Sequence, residues 1–231
     1  MIGFTGIEKV IYSEIPSNST IMIIGDTGTL KTTVALETIK AKLNNVPEKV
    51  ALFFTLKEEI PELVRRFSLK PYVDEGRLIL KDYDFISEKV TPKLMQENAF
   101  KGISEILRDF REKYREKLAL IAIDPMNLLL SYVKPENLRR YLYHFFSYMA
   151  DLKTQNWVIF EKIDDEREAE AALPCYFLAD GIIEFGLTET QNDVIRFMEI
   201  KKLRGVNHNL KRFQITYKNE ELKVLGPTYE Y

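Results

Sequence analysis

The chain has 231 residues, 45% of them hydrophobic and 29% charged, which is enough apolar mass to bury the core of one large domain. A formal net charge of -2 argues against coating nucleic acid through bulk positive charge, and the lone Cys175 excludes an internal disulfide. No apolar run reaches the ~20 residues of a membrane span, and the first residues lack the basic start and apolar core of a secretory leader, so the expectation is a cytoplasmic protein.

In chain order, residues 19–25 (STIMIIG) predict a buried strand, and residues 31–43 predict a helix with Val34, Leu36 and Ile39 among its apolar positions. A second strand is expected over 48–56 and a short helix over 58–67, with Pro61 tolerated in its first turn. A third strand (76–82) precedes a long amphipathic helix (99–117). The fourth strand, 118–124 (LALIAID), is almost wholly apolar and so covered on both faces. A helix over 137–155 and a fifth strand over 156–162 follow. Four strands then run over 180–186, 194–202, 211–217 and 221–226, separated by polar turns. Strand–helix alternation followed by a run of strands predicts one α/β domain over 1–231, a mostly parallel sheet extended by antiparallel hairpins. No linker, repeat or low-complexity tract interrupts it.

The stretch IMIIGDTGTLKTT (21–33) is one residue from the phosphate-binding pattern G-x-x-x-x-G-K-[ST]. Gly25, Lys31 and Thr32 fit, and Leu30 stands where the second glycine belongs. The loop of Gly25, Asp26, Thr27, Gly28, Thr29, Leu30, Lys31, Thr32 and Thr33 lies between a strand and a helix. In that setting backbone N–H groups and a helix N-terminus cradle phosphate. Lys31 would reach the β- and γ-phosphates, and the Thr32 hydroxyl would hold Mg2+. Leucine is tolerable at position 30 if its backbone is near helical and its side chain points away from the nucleotide. The bland alternative is an ordinary strand–turn–helix connection with a stray lysine.

Two further features fit the same chemistry. Asp124 ends an apolar strand, the placement of a carboxylate that acts on Mg2+, although many strands end in aspartate. Glu58 and Glu59 follow the second strand, which is expected beside the loop strand. Either would be placed to orient water in line with a γ-phosphate, or both only decorate a helix N-terminus.

Together these segments resemble the RecA superfamily and, within it, the KaiC-like ATPases of single-domain archaeal type. The likeness runs from Thr5 to about Leu225. TGIEKVI, GDTGTLKTT, FFTLKEEIPELV, LALIAIDP, IFEKID, FLADGIIEFG and RFMEIKKLRGVNHNLKRFQIT each resemble a family landmark, the last two most specifically. Three positions depart: Leu30, an extra Lys57 before the two glutamates, and Pro125 in place of a serine. Scarce histidine and cysteine lean towards a thermophilic source. The resemblance implies a RecA-like P-loop core with helices on both faces of its sheet. It implies ATP or ADP with Mg2+, held by Thr32 and Asp124. It also implies homo-oligomeric rings, usually hexamers, with ATP between subunits. Glu58 would be the water-activating base, with Glu59 matching on one alignment only. Lys202 and Arg204 would reach a neighbour's γ-phosphate, with His208 near them. The role expected is slow, regulatory ATP hydrolysis serving an unidentified protein partner. Two alternatives stay open. One is a nucleotide-sensing module with little hydrolysis. The other is a DNA-handling recombinase paralogue, against which the acidic charge weighs. Cys175 and the aromatic helix around Tyr143 to Met149 read as core or interface.

Overall fold

The computed structural model describes residues 4–162, 174–189 and 193–228. Its strands are β1 (Thr20–Gly25), β2 (Val50–Thr55), β3 (Leu78–Asp82), β4 (Leu118–Asp124), β5 (Gln155–Glu161), β6 (Gly181–Glu189), β7 (Val194–Leu203), β8 (Phe213–Lys218) and β9 (Glu221–Pro227). Its α-helices are α1 (Lys31–Asn45), α2 (Ile60–Arg66), α3 (Lys70–Asp74), α4 (Tyr83–Lys89), α5 (Pro92–Tyr114), α6 (Asn127–Leu130) and α7 (Pro135–Asp151). The strands form one sheet in the order β3-β2-β4-β5-β1-β6-β7-β8-β9. The first six in that order run parallel, and β6 to β9 pair antiparallel, as the change in sequence pattern predicts.

The central strands read as continuous apolar runs because both of their faces are covered. Successive side chains alternate between two cores. Ile21, Ile23, Ala51, Phe53, Leu120, Ala122, Trp157 and Ile159 point to one, which also takes Val34, Leu36 and Ile39 of α1. Met22, Ile24, Leu52, Phe54, Ile121, Ile123, Val158 and Phe160 point to the other, under α4 to α7. Fully buried rings such as Phe53, Phe160 and Trp157 each contribute roughly 1.5–3 kcal/mol of burial.

The helices differ from expectation in detail. The long helix begins earlier, at Pro92, where the Thr91 side chain caps Leu94 N at 3.3 Å. It is interrupted at Asn98, whose backbone is non-helical, and it ends at Tyr114. α3, α4 and α6 were not expected; each is at most two turns long, too short to show a helical period. α4 does carry a local signal, since Asp82 caps Phe85 N at 3.0 Å. Among the described residues, no helix is long and apolar enough to cross a membrane.

Candidate nucleotide-binding site

Parallel strands bring their carboxyl ends to one edge of the sheet. The register sets Gly25 beside Glu161 and Thr55 beside Asp124. The loop after β1, the turn after β2 and the ends of β4 and β5 therefore meet there, around a cleft of about 490 Å³. The sequence pattern predicts β2 next to the loop strand. The structure corrects this: β5 and β6 flank β1, and β4 lies between β2 and β5. Neighbours in a sheet are a long-range property that local pattern does not carry. The glutamate after β2 reaches the cleft all the same.

The loop has the shape that phosphate binding requires. Gly28 and Leu30 both adopt left-handed backbone, at φ 80° and 73°. Such turns aim successive N–H groups into one concavity. A Cβ on Gly28 would meet nothing within 4 Å, so the concavity is open. Gly25 is required by packing, because a Cβ there would fall 2.1 Å from the Phe185 carbonyl oxygen. The Asp26 carbonyl accepts from Thr29 Oγ1 and from Lys31 Nζ, both at 2.7 Å, which closes the loop on itself. Thr27 stays exposed at its tip, and Thr33 is buried under it. Val34 N donates to Leu30 O at 2.9 Å and starts α1.

Leu30 departs from the expected near-helical backbone. The left-handed conformation is what the usual glycine serves, and a leucine there is strained by roughly 1–2 kcal/mol. Its side chain is partly buried against the core under α1 and also lines the cleft.

Thr32 Oγ1 donates to Asp124 Oδ2 at 2.5 Å. Burial raises the Asp124 carboxyl to about 6; the Thr32 bond and Lys31 pull it down, and Glu58 and Glu161 push it further up. A cation at this point would relieve that penalty. Among the described residues, no group of three His, Cys, Asp or Glu side chains forms a complete metal cage. A hydroxyl and a single carboxylate suit Mg2+, which keeps waters and shares phosphate oxygens. Lys31 is buried, which lowers its pKa, while Glu161, Asp124 and Asp26 oppose the shift.

Of the paired glutamates, Glu58 lines the cleft and Glu59 does not. Thr55 Oγ1 donates to Glu58 O at 2.7 Å and accepts from Glu58 N at 3.2 Å, a turn that aims Glu58 inward. Its carboxylate is ion-paired with Arg66. Glu59 is exposed at the N-cap of α2.

Lys202, Arg204 and His208 do not line this cleft. Lys202 Nζ donates to Ala179 O at 2.6 Å and Tyr176 O at 3.1 Å, at the end of the short helix over residues 174–178. Arg204 contacts Asp180 Oδ1 at 3.4 Å and Phe177 O at 3.3 Å. His208 Nδ1 sits 2.8 Å from Val206 O. The last two residues of IFEKID lie outside the described residues. Two site residues had no assigned role in the sequence. Glu161 ends β5 inside the cleft; its signals were a carboxylate closing an apolar strand and the family likeness of IFEKID. Arg196 of β7 donates from Nε to Gly28 O at 2.8 Å and braces the loop.

A strand–loop–helix phosphate cradle, a threonine on a strand-terminal aspartate and a strand between theirs define a P-loop nucleotide-binding protein with a RecA-like sheet. Residues 1–229 match the family model described as "ATPase: KaiC", and the chain belongs to that family. It is 21% identical over 227 residues to the circadian clock oscillator protein KaiC of a Picosynechococcus strain, aligning with 95% of this chain and 43% of that protein. The chain thus spans less than half the length of that relative. It is 25% identical to a UPF0273 protein of Methanopyrus kandleri, covering 96% of this chain and 90% of the relative. A KaiC-like protein from the hyperthermophilic archaeon Pyrococcus horikoshii has the same fold, with a TM-score of 0.77, 19% identity and 97% of each chain covered.

Proposed function

We propose that this P-loop ATPase binds ATP or ADP with Mg2+ in the cleft and hydrolyses ATP slowly at the subunit interfaces of a homo-oligomeric ring. Its role would be regulatory, exerted through a protein partner. The convergence of Lys31, Thr32, Asp124 and Glu58 on one cleft carries the reading. Bound Mg2+ would supply charge neutralisation at the β- and γ-phosphates. Lys31 would hold phosphate oxygens, and Thr32 and Asp124 would hold the ion. Glu58 would orient water and accept its proton. Arg204 and Lys202 of a neighbouring copy would stabilise charge developing on the transferred phosphoryl group. Steady-state ATP turnover tests this, with Lys31→Ala as the control. Turnover equal in parent and variant contradicts it.

The Arg66 ion pair on Glu58 and the strained Leu30 support a second reading, a sensor that binds nucleotide and hardly hydrolyses it. Stoichiometric nucleotide binding without turnover selects it.

A further inference from the structure

The extra lysine before the paired glutamates lies inside the cleft. Lys57 Nζ is 3.2 Å from both carboxylate oxygens of Glu161. The pair joins the turn after β2 to the end of β5, across the carboxyl end of β4. Lys57 is the more exposed partner, its side chain 60% accessible against 28% for Glu161. Lys57 also opposes protonation of Lys31, whereas Glu161 is the strongest charge favouring it. Lys57 and Glu161 therefore act on the same electrostatic field as the P-loop lysine.

The lining of the cleft is balanced in charge. Lys31, Lys57 and Arg66 face Glu58, Asp124 and Glu161. Arg66 is held by Glu58, and Lys31 is buried behind the loop. Lys57 is the lysine on the solvent side, tied by one bifurcated contact to one carboxylate. A half-exposed pair of this kind contributes little and is easily exchanged. A triphosphate terminus carries more negative charge than the single Glu161 carboxylate and competes with it for the ammonium.

We propose that Lys57 is a specificity-determining residue that leaves Glu161 for the terminal phosphate of a nucleoside triphosphate, so that the Lys57–Glu161 pair sets the preference for triphosphate over diphosphate within one subunit. This rests on the nucleotide reading of the cleft. Glu161 competes with the phosphate for Lys57 and holds it while the cleft contains a diphosphate. The cation comes from the same chain as the P-loop and needs no neighbouring copy.

Calorimetric affinities for ADP and for a non-hydrolysable ATP analogue, both with Mg2+, test it on the whole chain. Lys57→Met is expected to weaken the analogue about tenfold and ADP about twofold or less. Glu161→Gln is expected to raise the ratio of analogue to ADP affinity, because Lys57 is then uncommitted. In the Lys57→Met, Glu161→Gln double variant that gain disappears, which a general change in cleft charge does not reproduce. Equal loss for both nucleotides in Lys57→Met, or a gain that survives in the double variant, overturns the proposal. Failure of the parent to bind ADP, or ADP binding unaffected by Lys31→Ala, overturns the nucleotide reading itself and this proposal with it.

Discussion

The Thr32 hydroxyl and the Asp124 carboxylate meet at 2.5 Å, although 92 residues separate them in the chain. The contact joins the first turn of α1 to the last residue of β4. It marks the point where the helix following the loop and the neighbouring parallel strands converge. The hydroxyl and the carboxylate that would hold a hard cation are thus already side by side.

Asp124 makes stability depend on pH in a defined direction. Its folded-state pKa of about 6 lies above the ordinary 3.8, chiefly through burial. The folded chain then binds this proton more tightly than the unfolded chain, so the residue's contribution to stability falls as pH rises between those values and stays low above them. Asp124→Asn keeps an acceptor for Thr32 and removes the buried charge. Without nucleotide the variant is expected to exceed the parent by about 1–3 kcal/mol near neutral pH, with the gap closing towards a pH of about 4. Melting curves of both proteins across this range check it, and parallel pH profiles contradict it.

Glu58 and Glu59 are separated by geometry. Glu58→Gln is expected to remove most ATP hydrolysis and keep binding, since the shape is preserved and only the base is lost. Glu59→Gln should have the smaller effect, because its side chain is exposed outside the cleft. Turnover and nucleotide affinity measured side by side decide this, and the reverse ranking counts against Glu58.

Much of the fold is legible in the sequence. LALIAID is β4 to the residue, and its lack of alternation announced a strand covered on both faces. The phosphate loop was legible because its chemistry is local. The left-handed backbone of Leu30 was not expected, although the glycine that the pattern calls for was its signal. Glu161 was missed as a site residue for another reason. Its partners Lys57 and Asn127 become neighbours only once β5 enters the sheet between β1 and β4. Short helices such as α3 and α6 owe their existence to tertiary packing rather than to a period in the sequence.

Leu30→Gly relieves a left-handed strain of roughly 1–2 kcal/mol and forfeits the packing of a half-buried leucine, so the net change in stability is expected within about 1 kcal/mol. Turnover should rise or stay level. Leu30→Val, β-branched at positive φ, should lose roughly 1 kcal/mol or more. Thermal melts of both variants check this. Loss of nucleotide binding in Leu30→Gly shows instead that leucine shapes the loop.

Arg204 tests sharing between subunits. Its guanidinium rests on Phe177 O and Asp180, outside its own cleft. Arg204→Ala should cut turnover and barely change ATP affinity. Mixing Arg204→Ala with Lys31→Ala protein should restore part of the activity, because an intact loop then meets an intact arginine. Absence of any recovery in mixtures shown to exchange subunits argues for catalysis within one chain.

The most direct measurement of nucleotide binding at the loop is calorimetric titration of ADP with Mg2+ into the parent and into Lys31→Ala. A charge-assisted contact to phosphate is worth about 1.5–3 kcal/mol, so the variant should bind at least tenfold more weakly, with unchanged melting behaviour to show that it folds. Equal affinity in two folded proteins would place the nucleotide elsewhere and contradict the assignment of the cleft.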